Sequence, residues 1–422
     1  TTVPRHVTRW RWCLFLRGIL GGAVAVGLSA FLAVFEANVL RMPTTEYQAF
    51  LDHYPVSKFF RDPYHDYPPH FGEIQAQRPP RLIRLFDWKV RVKGMPEFPE
   101  HNIDERRGNN PRTVLSGVDE VVSVILAARG WDAAPAPRVD RVLVLMGMSG
   151  LTWATMGETE EVRTAVVAEL TRLFARVYTV GNDAPFGFRT MPLGLVEHKV
   201  RATGFRRAHA AIAAARLDEA AKPFVALAAF GSFSDAADTH FGPLRDFTGQ
   251  EMTNTTATIL NYSAHPFYST MAMWAIRRSH QAGQVPKVVG RIAARNAFRS
   301  PEFFRRADVV VTKFPQSQWW SKLAQFRFLL SPFGDEVQAP KNLEALLVLT
   351  IPVTQRGPYP VASDLQRLGF PMVFVDEWQE VTSSNLSRWW QTLSPRLASF
   401  RANCLTTDAY WRIIVGDIES CH

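Results

Sequence analysis

The sequence predicts an α/β protein whose two Rossmann-like lobes stand behind an N-terminal transmembrane helix and a stem. Three observations point there. The 18 residues from Gly18 to Phe35 carry no charge, enough for about 27 Å of helix and close to the thickness of a bilayer core. Beyond residue 117, apolar runs of buried-strand length alternate with segments of helical periodicity. From Phe328 to Val353 the chain reads as strand, Gly-containing loop, helix and strand in quick succession.

Composition allows this division. With 422 residues, 47% apolar and 21% charged, the chain can build two cores and is not expected to be disordered. Its 48 basic and 39 acidic residues leave a net +9, but the charge is uneven. Arg5, Arg9, Arg11, Arg17 and Arg41 face only Glu36 in the first 41 residues, a surplus of four that leaves +5 of the total +9 for the rest. That is too little for a nucleic-acid protein and supports no more than a modest preference for anionic ligands.

Four of those arginines precede Gly18, and Trp10 and Trp12 stand where an interfacial aromatic belt lies. The positive flank predicts residues 1–17 as a cytoplasmic tail, 18–35 as a signal-anchor of single-pass type II topology, and a lumenal remainder in the Golgi or endoplasmic reticulum. A cleaved signal peptide is the alternative, but the apolar run exceeds the usual 7 to 15 residues and no A-x-A site follows. Residues 36–116 are rich in Pro, His, Arg and aromatics, as in Tyr64-His-Asp-Tyr-Pro-Pro-His70, and are expected to form the stem. Three cysteines exclude a disulfide scaffold and a multi-Cys zinc module. Cys404 and Cys421 make either one bridge or two buried thiols. The sequons at Asn254, Asn261 and Asn385 agree with a secretory route to a glycoprotein, although such triplets also arise by chance.

The first lobe is expected over residues 117–218. Asp119 to Ala128 has helical periodicity, Arg141 to Met146 is a continuous apolar strand, and Glu160 to Phe174 places Val162, Val166, Leu170, Leu173 and Phe174 on one helix face before the strand Arg176 to Gly181. Strand, helix and strand in that order imply a parallel βαβ unit. The second lobe, over 219–385, opens with a strand at Pro223 to Gly231. Helices at Ser269 to Gln281 and Ser300 to Arg306, a strand Val309 to Thr312, the Phe328 to Val353 unit and a strand Met372 to Val375 follow. A final helix from Ser384 to Arg401, followed by a tail, makes the C-terminal segment 386–422.

An apolar strand that ends in Ser331-Pro-Phe-Gly334 and runs into a helix presents backbone N–H groups to an anion, which suits a diphosphate. Leu329-Leu-Ser-Pro-Phe-Gly334, Lys341-Asn-Leu-Glu-Ala345 and Leu349-Thr-Ile-Pro-Val353, followed by Asp376-Glu-Trp378, resemble the donor-binding half of the exostosin family of glycosyltransferases over about residues 320–400. Lys341 stands where that family has Arg and Leu349 where it has Gly. The resemblance implies a GT-B fold, with the first lobe on the acceptor side and the second on the nucleotide-sugar side. It also implies Ser331 and Gly334 near the diphosphate, Lys341 as its cation, Glu344 on the ribose hydroxyls, and inversion at the anomeric carbon. The structural alternative is an i,i+3 ion pair of Lys341 with Glu344 on a surface helix and an ordinary turn at Gly334.

Other chemistry is sparse. Gly147-Met-Ser-Gly-Leu-Thr-Trp153 faintly resembles the phosphosulfate loop of sulfotransferases but has Met148 in place of its basic residue. No D-x-D, Walker loop, H-E-x-x-H or G-x-S-x-G occurs, so no metal site or resident cofactor is expected. A base for an acceptor hydroxyl is sought among Asp235, Asp238, His240 and His265, each of which is as readily a solvated loop residue. The pairs Trp319-Trp320 and Trp389-Trp390 suit either sugar stacking or core packing. The expected activity is metal-independent transfer of a sugar from a nucleotide-diphosphate donor to a glycan or glycoprotein hydroxyl. A lumenal sulfotransferase, or a non-catalytic membrane-anchored binding protein of the same fold, is the alternative.

Overall fold

The computed structural model describes residues 44–58, 79–92, 103–107, 110–132, 139–146, 156, 159–182, 187–196, 200, 204–229, 307–332, 337–356 and 359–421. Contacts divide the chain into two units, 1–49 with 61–78, and 50–60 with 79–422. Of the first, residues 44–49 are described, the opening turns of helix α1 (Thr44–His53). The anchor expected at Gly18 to Phe35 lies outside the described residues. Among those described, no helix is long and apolar enough to cross a membrane.

Among its described residues the second unit carries a six-stranded sheet, a five-stranded sheet and a two-stranded parallel pairing of Val56–Lys58 with Leu195–Val196. Its earlier elements are β1 (Val56–Lys58), α2 (Arg81–Arg84), β2 (Trp88–Val92), β3 (Ile103–Arg106), β4 (Thr113–Gly117), α3 (Val121–Asp132), β5 (Val142–Met146), α4 (Glu160–Leu173), β6 (Arg176–Thr179), β7 (Phe188–Thr190), β8 (Leu195–Val196) and α5 (Phe205–Ala214). Then come β9 (Phe224–Ala228), β10 (Val309–Val311), α6 (Trp319–Leu323), β11 (Phe326–Leu330), α7 (Pro340–Leu347), β12 (Ile351–Gln355), α8 (Val361–Arg367), β13 (Val373–Val375), α9 (Ser383–Cys404) and α10 (Thr407–Val415).

The first sheet has the order β3-β2-β4-β5-β6-β7, with β3 antiparallel on β2 and every other pairing parallel. Its central strands are covered on both faces, so β4 is buried along its whole length and shows no polar alternation. The crossovers bring α3 and α4 to one face. There Val124, Ile125 and Ala128 of α3 and Val167 and Leu170 of α4 share a core with Val114, Leu143, Leu145 and Val177. Thr159 caps α4 by accepting from the Val162 N–H at 3.3 Å. The opposite face receives α10, where the Tyr178 hydroxyl donates to the Ile413 carbonyl at 2.8 Å.

The stem expected over 36–116 is corrected here, because β2, β3 and all but the last residue of β4 lie within it. Asp87 makes this possible. Its carboxylate accepts from the Arg112 and Thr113 N–H groups at 2.9 and 3.0 Å and from the Thr113 hydroxyl at 3.1 Å, tying the start of β2 to the start of β4. The first lobe therefore begins before residue 117.

The second sheet is wholly parallel, in the order β10-β9-β11-β12-β13. Below its amino ends the Lys222 ammonium is buried. It donates to the carbonyls of Ala324, Phe326 and Val348 and to the Thr350 hydroxyl at 2.9 to 3.1 Å. Burial and the Arg401 guanidinium push its pKa down to about 7, and these four oxygens oppose the loss of its proton. The helices expected at Ser269 to Gln281 and Ser300 to Arg306 lie outside the described residues.

Buried polar groups join the two larger sheets. Asp364 of α8 accepts from the Asn182 amide at 3.2 Å, the Thr190 N–H at 3.1 Å and the Thr190 hydroxyl at 2.6 Å. The Gln338 side chain accepts from the Leu193 N–H at 2.8 Å and donates to the carbonyls of Val180 and Met191 at 2.5 and 2.9 Å. Beside Gln338 a cavity of about 20 Å³, lined by Leu193, Asn342, Leu343 and Phe370 among others, has room for one water molecule.

Two outcomes follow for stability. Asp364→Ala strands three buried donors across the junction and should lower the unfolding free energy by about 2–4 kcal/mol in urea titrations, against about 1 kcal/mol for a lost surface contact. Glu169 accepts from Arg172 and Arg129, which hold its carboxyl down to about 2. Its contribution is therefore complete above the ordinary carboxylate range near 4.5 and is lost as pH falls towards 2. Because Arg129 and Arg172 are exposed, Glu169→Gln should flatten the acid limb in that window by only about 0.5 kcal/mol.

Candidate functional site at the carboxyl edge of the second sheet

In the second sheet, chain order reverses between β9 and β11, because β10 lies on one side of β9 and β11, β12 and β13 follow on the other. In open parallel sheets such a reversal leaves a crevice beyond the carboxyl ends of the two strands, since the connecting segments depart to opposite faces. Whatever chemistry the second lobe offers is expected there.

The residues at that step come from both strands. The register pairs Leu330 with Ala228, so Ser331 and Ala229 follow side by side where the strands end. Ser331 is buried, and its N–H donates to the Val353 carbonyl at 2.8 Å, carrying the β11–β12 ladder one residue beyond the strand. The chain then reaches α7, which opens with Pro340 and has no side-chain cap on Ala339. The positive end of its dipole accordingly lies at the sheet's carboxyl edge.

Lys341, in the first turn of α7, donates its ammonium to the Ala229 carbonyl at the end of β9 and stands 5.4 Å from the centre of the Trp319 ring. Trp319 in turn donates its indole N–H to the buried Glu344 carboxylate at 2.6 Å. A cation, an indole and a carboxylate are thus linked through one tryptophan of α6. The indole face attracts the ammonium and its N–H satisfies the carboxylate.

Three predicted donor residues, Ser331, Lys341 and Glu344, are therefore found around the β9/β11 step. Gly334, with Asp335 and Glu336, lies outside the described residues, as do Asp235, Asp238, His240, His265, Asn254, Asn261 and the Gly147 to Trp153 loop. Asn385 is described at the start of α9, where its amide donates to the Glu380 carbonyl at 2.7 Å and accepts from Arg388 at 2.8 Å. Cys404 and Cys421 form a disulfide. Trp319 and Trp320 are buried in the core, and the half-buried Trp390 packs on Phe328 and under Arg327. Sequence reasoning missed the part played by Trp319 in joining Lys341 to Glu344. Its position before a short strand gave only the hint of an apolar helix.

No protein-family profile matches the chain, and no curated protein sequence does. Among solved structures, the UDP-GlcNAc 2-epimerase from Methanocaldococcus jannaschii aligns with 67% of this chain and 70% of its own, at 8% identity and a TM-score of 0.26. A score of that size does not establish a common fold.

Trp319→Phe keeps the ring under Lys341 but removes the N–H from the buried Glu344 carboxylate. It should cost about 1.5–3 kcal/mol in equilibrium unfolding, the loss expected when a buried charge forfeits a hydrogen bond. Adding Glu344→Leu, which removes the charge, should recover part of that loss, and strict additivity of the two changes would refute the coupling.

Proposed function

We propose that the carboxyl edge of the second sheet binds the diphosphate of a nucleotide sugar, and that the chain transfers the sugar to a hydroxyl of a glycan or glycoprotein on a GT-B arrangement of its lobes. The observation that carries this is the coincidence, at the β9/β11 reversal, of an uncapped helix N-terminus, a lysine of its first turn and Ser331. Each favours an anion, and the three lie at one step of the sheet's carboxyl edge.

In the reaction the bond from the anomeric carbon to the diphosphate oxygen breaks and a bond to the acceptor oxygen forms. The acceptor proton passes to a general base and the diphosphate leaves with the electron pair. Lys341 and the α7 dipole stabilise that departing charge, which is the function a divalent ion serves in enzymes that carry paired carboxylates. The base is sought among Asp235, Asp238, His240 and His265. We place the chain in the Golgi or endoplasmic reticulum membrane through residues 18–35, with its lobes lumenal. The Cys404–Cys421 bridge supports an oxidising compartment.

One observation favours a second reading, a non-catalytic binding protein of the same fold. Lys341 and Glu344 already have partners in Ala229 and Trp319, so the site is satisfied without a ligand.

Calorimetric titration of the full chain with UDP and GDP, in the presence of a chelator, separates these. Binding that Lys341→Ala weakens about 10- to 100-fold, the worth of a charge-assisted hydrogen bond, with turnover of a nucleotide sugar, supports the transferase. Binding without turnover of a donor panel supports the inert module. Absence of binding at millimolar diphosphate defeats both. A phosphosulfate nucleotide whose binding survives Lys341→Ala points instead to the Ser149 loop.

A further inference from the structure

The last helix and the tail make a covalently closed loop that ties one lobe to the other. Cys404 ends α9, α10 follows, Gly416 turns the chain, and Cys421 returns to Cys404 across 17 residues of sequence, with the Cα atoms 5.8 Å apart. The closing end belongs to the second lobe, where the Cys421 N–H donates to the Leu368 carbonyl at 2.9 Å. The helix between the two sulfurs faces the first. Arg176 and Tyr178 of β6 donate to the Val415 and Ile413 carbonyls, both at 2.8 Å, and the Trp411 ring meets Phe86 edge-on at 5.2 Å. Gly416 is indispensable to this seat. It has a left-handed φ of +81°, and a Cβ there would collide with the Arg176 guanidinium.

Asp408 also pairs with Arg81, the Tyr410 hydroxyl donates to the Leu193 carbonyl at 3.4 Å, and α10 buries Tyr410, Ile413 and Ile414, while each hydrogen bond by itself contributes modestly because water replaces it on release. Closing the loop removes most of the conformational freedom that α10 would gain on leaving the first sheet. We propose that the Cys404–Cys421 bridge is a redox-dependent strap, which holds α10 on the first sheet when oxidised and releases it when reduced. On closure the two thiols give up two protons and two electrons to a disulfide oxidant, which becomes a dithiol. Reduction reverses this, with a dithiol reductant becoming the disulfide. Both sulfurs are buried, so exchange with an outside thiol requires the loop to open first.

Hydrogen exchange read by mass spectrometry tests the strap on the full chain, with the bridge scored in the same samples by thiol alkylation. In the reduced protein, or in Cys404→Ala/Cys421→Ala if the bridge resists reduction, peptides covering β6 and α10 should exchange at least tenfold faster than in the oxidised protein. Peptides of β11 and β12 should be unchanged. Gly416→Ala should reproduce the pattern with the bridge still formed. Equal protection of β6 and α10 in both redox states overturns the proposal. So does a loss of protection throughout the chain, which would give the bridge to general stability and not to the lobe junction.

Discussion

A buried amide between the two larger sheets holds the start of α7 in place and, with it, the site. Gln338 lies two residues before α7, and its side chain spends both donors and its oxygen on the backbone of residues 180–193. Only one orientation satisfies all three bonds, since a flipped amide would set its NH₂ against the Leu193 N–H and its oxygen against two carbonyls. In a water-poor junction each mismatch costs the full desolvation of a polar group. The start of α7 is therefore held in one position against the first lobe, and Lys341 follows three residues later. Asp364 repeats the device at α8, accepting from Asn182 and Thr190.

The alternating strands and helices of both lobes were legible because burial on two faces forces apolar runs, as in β5 and in Phe328 to Leu330 of β11. Helices with one apolar face, such as α4, were legible for the same reason. The first three strands of the first sheet were not. Trp88-Lys-Val-Arg-Val92 does alternate, but Lys89 is buried and the flanking Pro, His and Arg suggest an irregular stem. What makes this segment a strand is remote, the carboxylate of Asp87 reaching residues 112 and 113. The junction residues were illegible for a related reason. Asn182, Thr190, Gln338 and Asp364 are polar residues in polar stretches, and only the approach of the other sheet makes them interior. The site was legible as a motif, since strand, loop and helix are local. Its internal partners, Trp319 and Ala229, come from elements that the motif does not contain.

Leu349 shows how one departure from a sequence pattern is accommodated. It follows α7 with φ of +60°, a left-handed conformation that glycine adopts freely and leucine at a cost of about 1–2 kcal/mol. Here the side chain is 3% exposed, and burying a leucine contributes about 1.5–3 kcal/mol, enough to offset the strain. The next residue, Thr350, donates to the Phe326 carbonyl at 2.8 Å and takes a hydrogen bond from Lys222. The turn into β12 is thus fixed from below by a buried ammonium and from within by a buried leucine. A glycine is dispensable there, and the amino end of β12 keeps its register with β11.

The state of Lys341 bears on how an anion would be held. Its ammonium caps a neutral carbonyl at the end of β9, and its charge is steadied by the face of an indole. A phosphate oxygen arriving at the same step offers a full negative charge in place of a carbonyl dipole, and hydrogen bonds to charged acceptors are roughly twice as strong as those to neutral ones. The exchange favours the phosphate provided that the Ala229 carbonyl finds another donor. The Trp319 N–H meanwhile engages the Glu344 carboxylate at the edge of the ring. One tryptophan thereby serves two electrostatic ends. It keeps a buried carboxylate satisfied, and its face steadies the neighbouring cation.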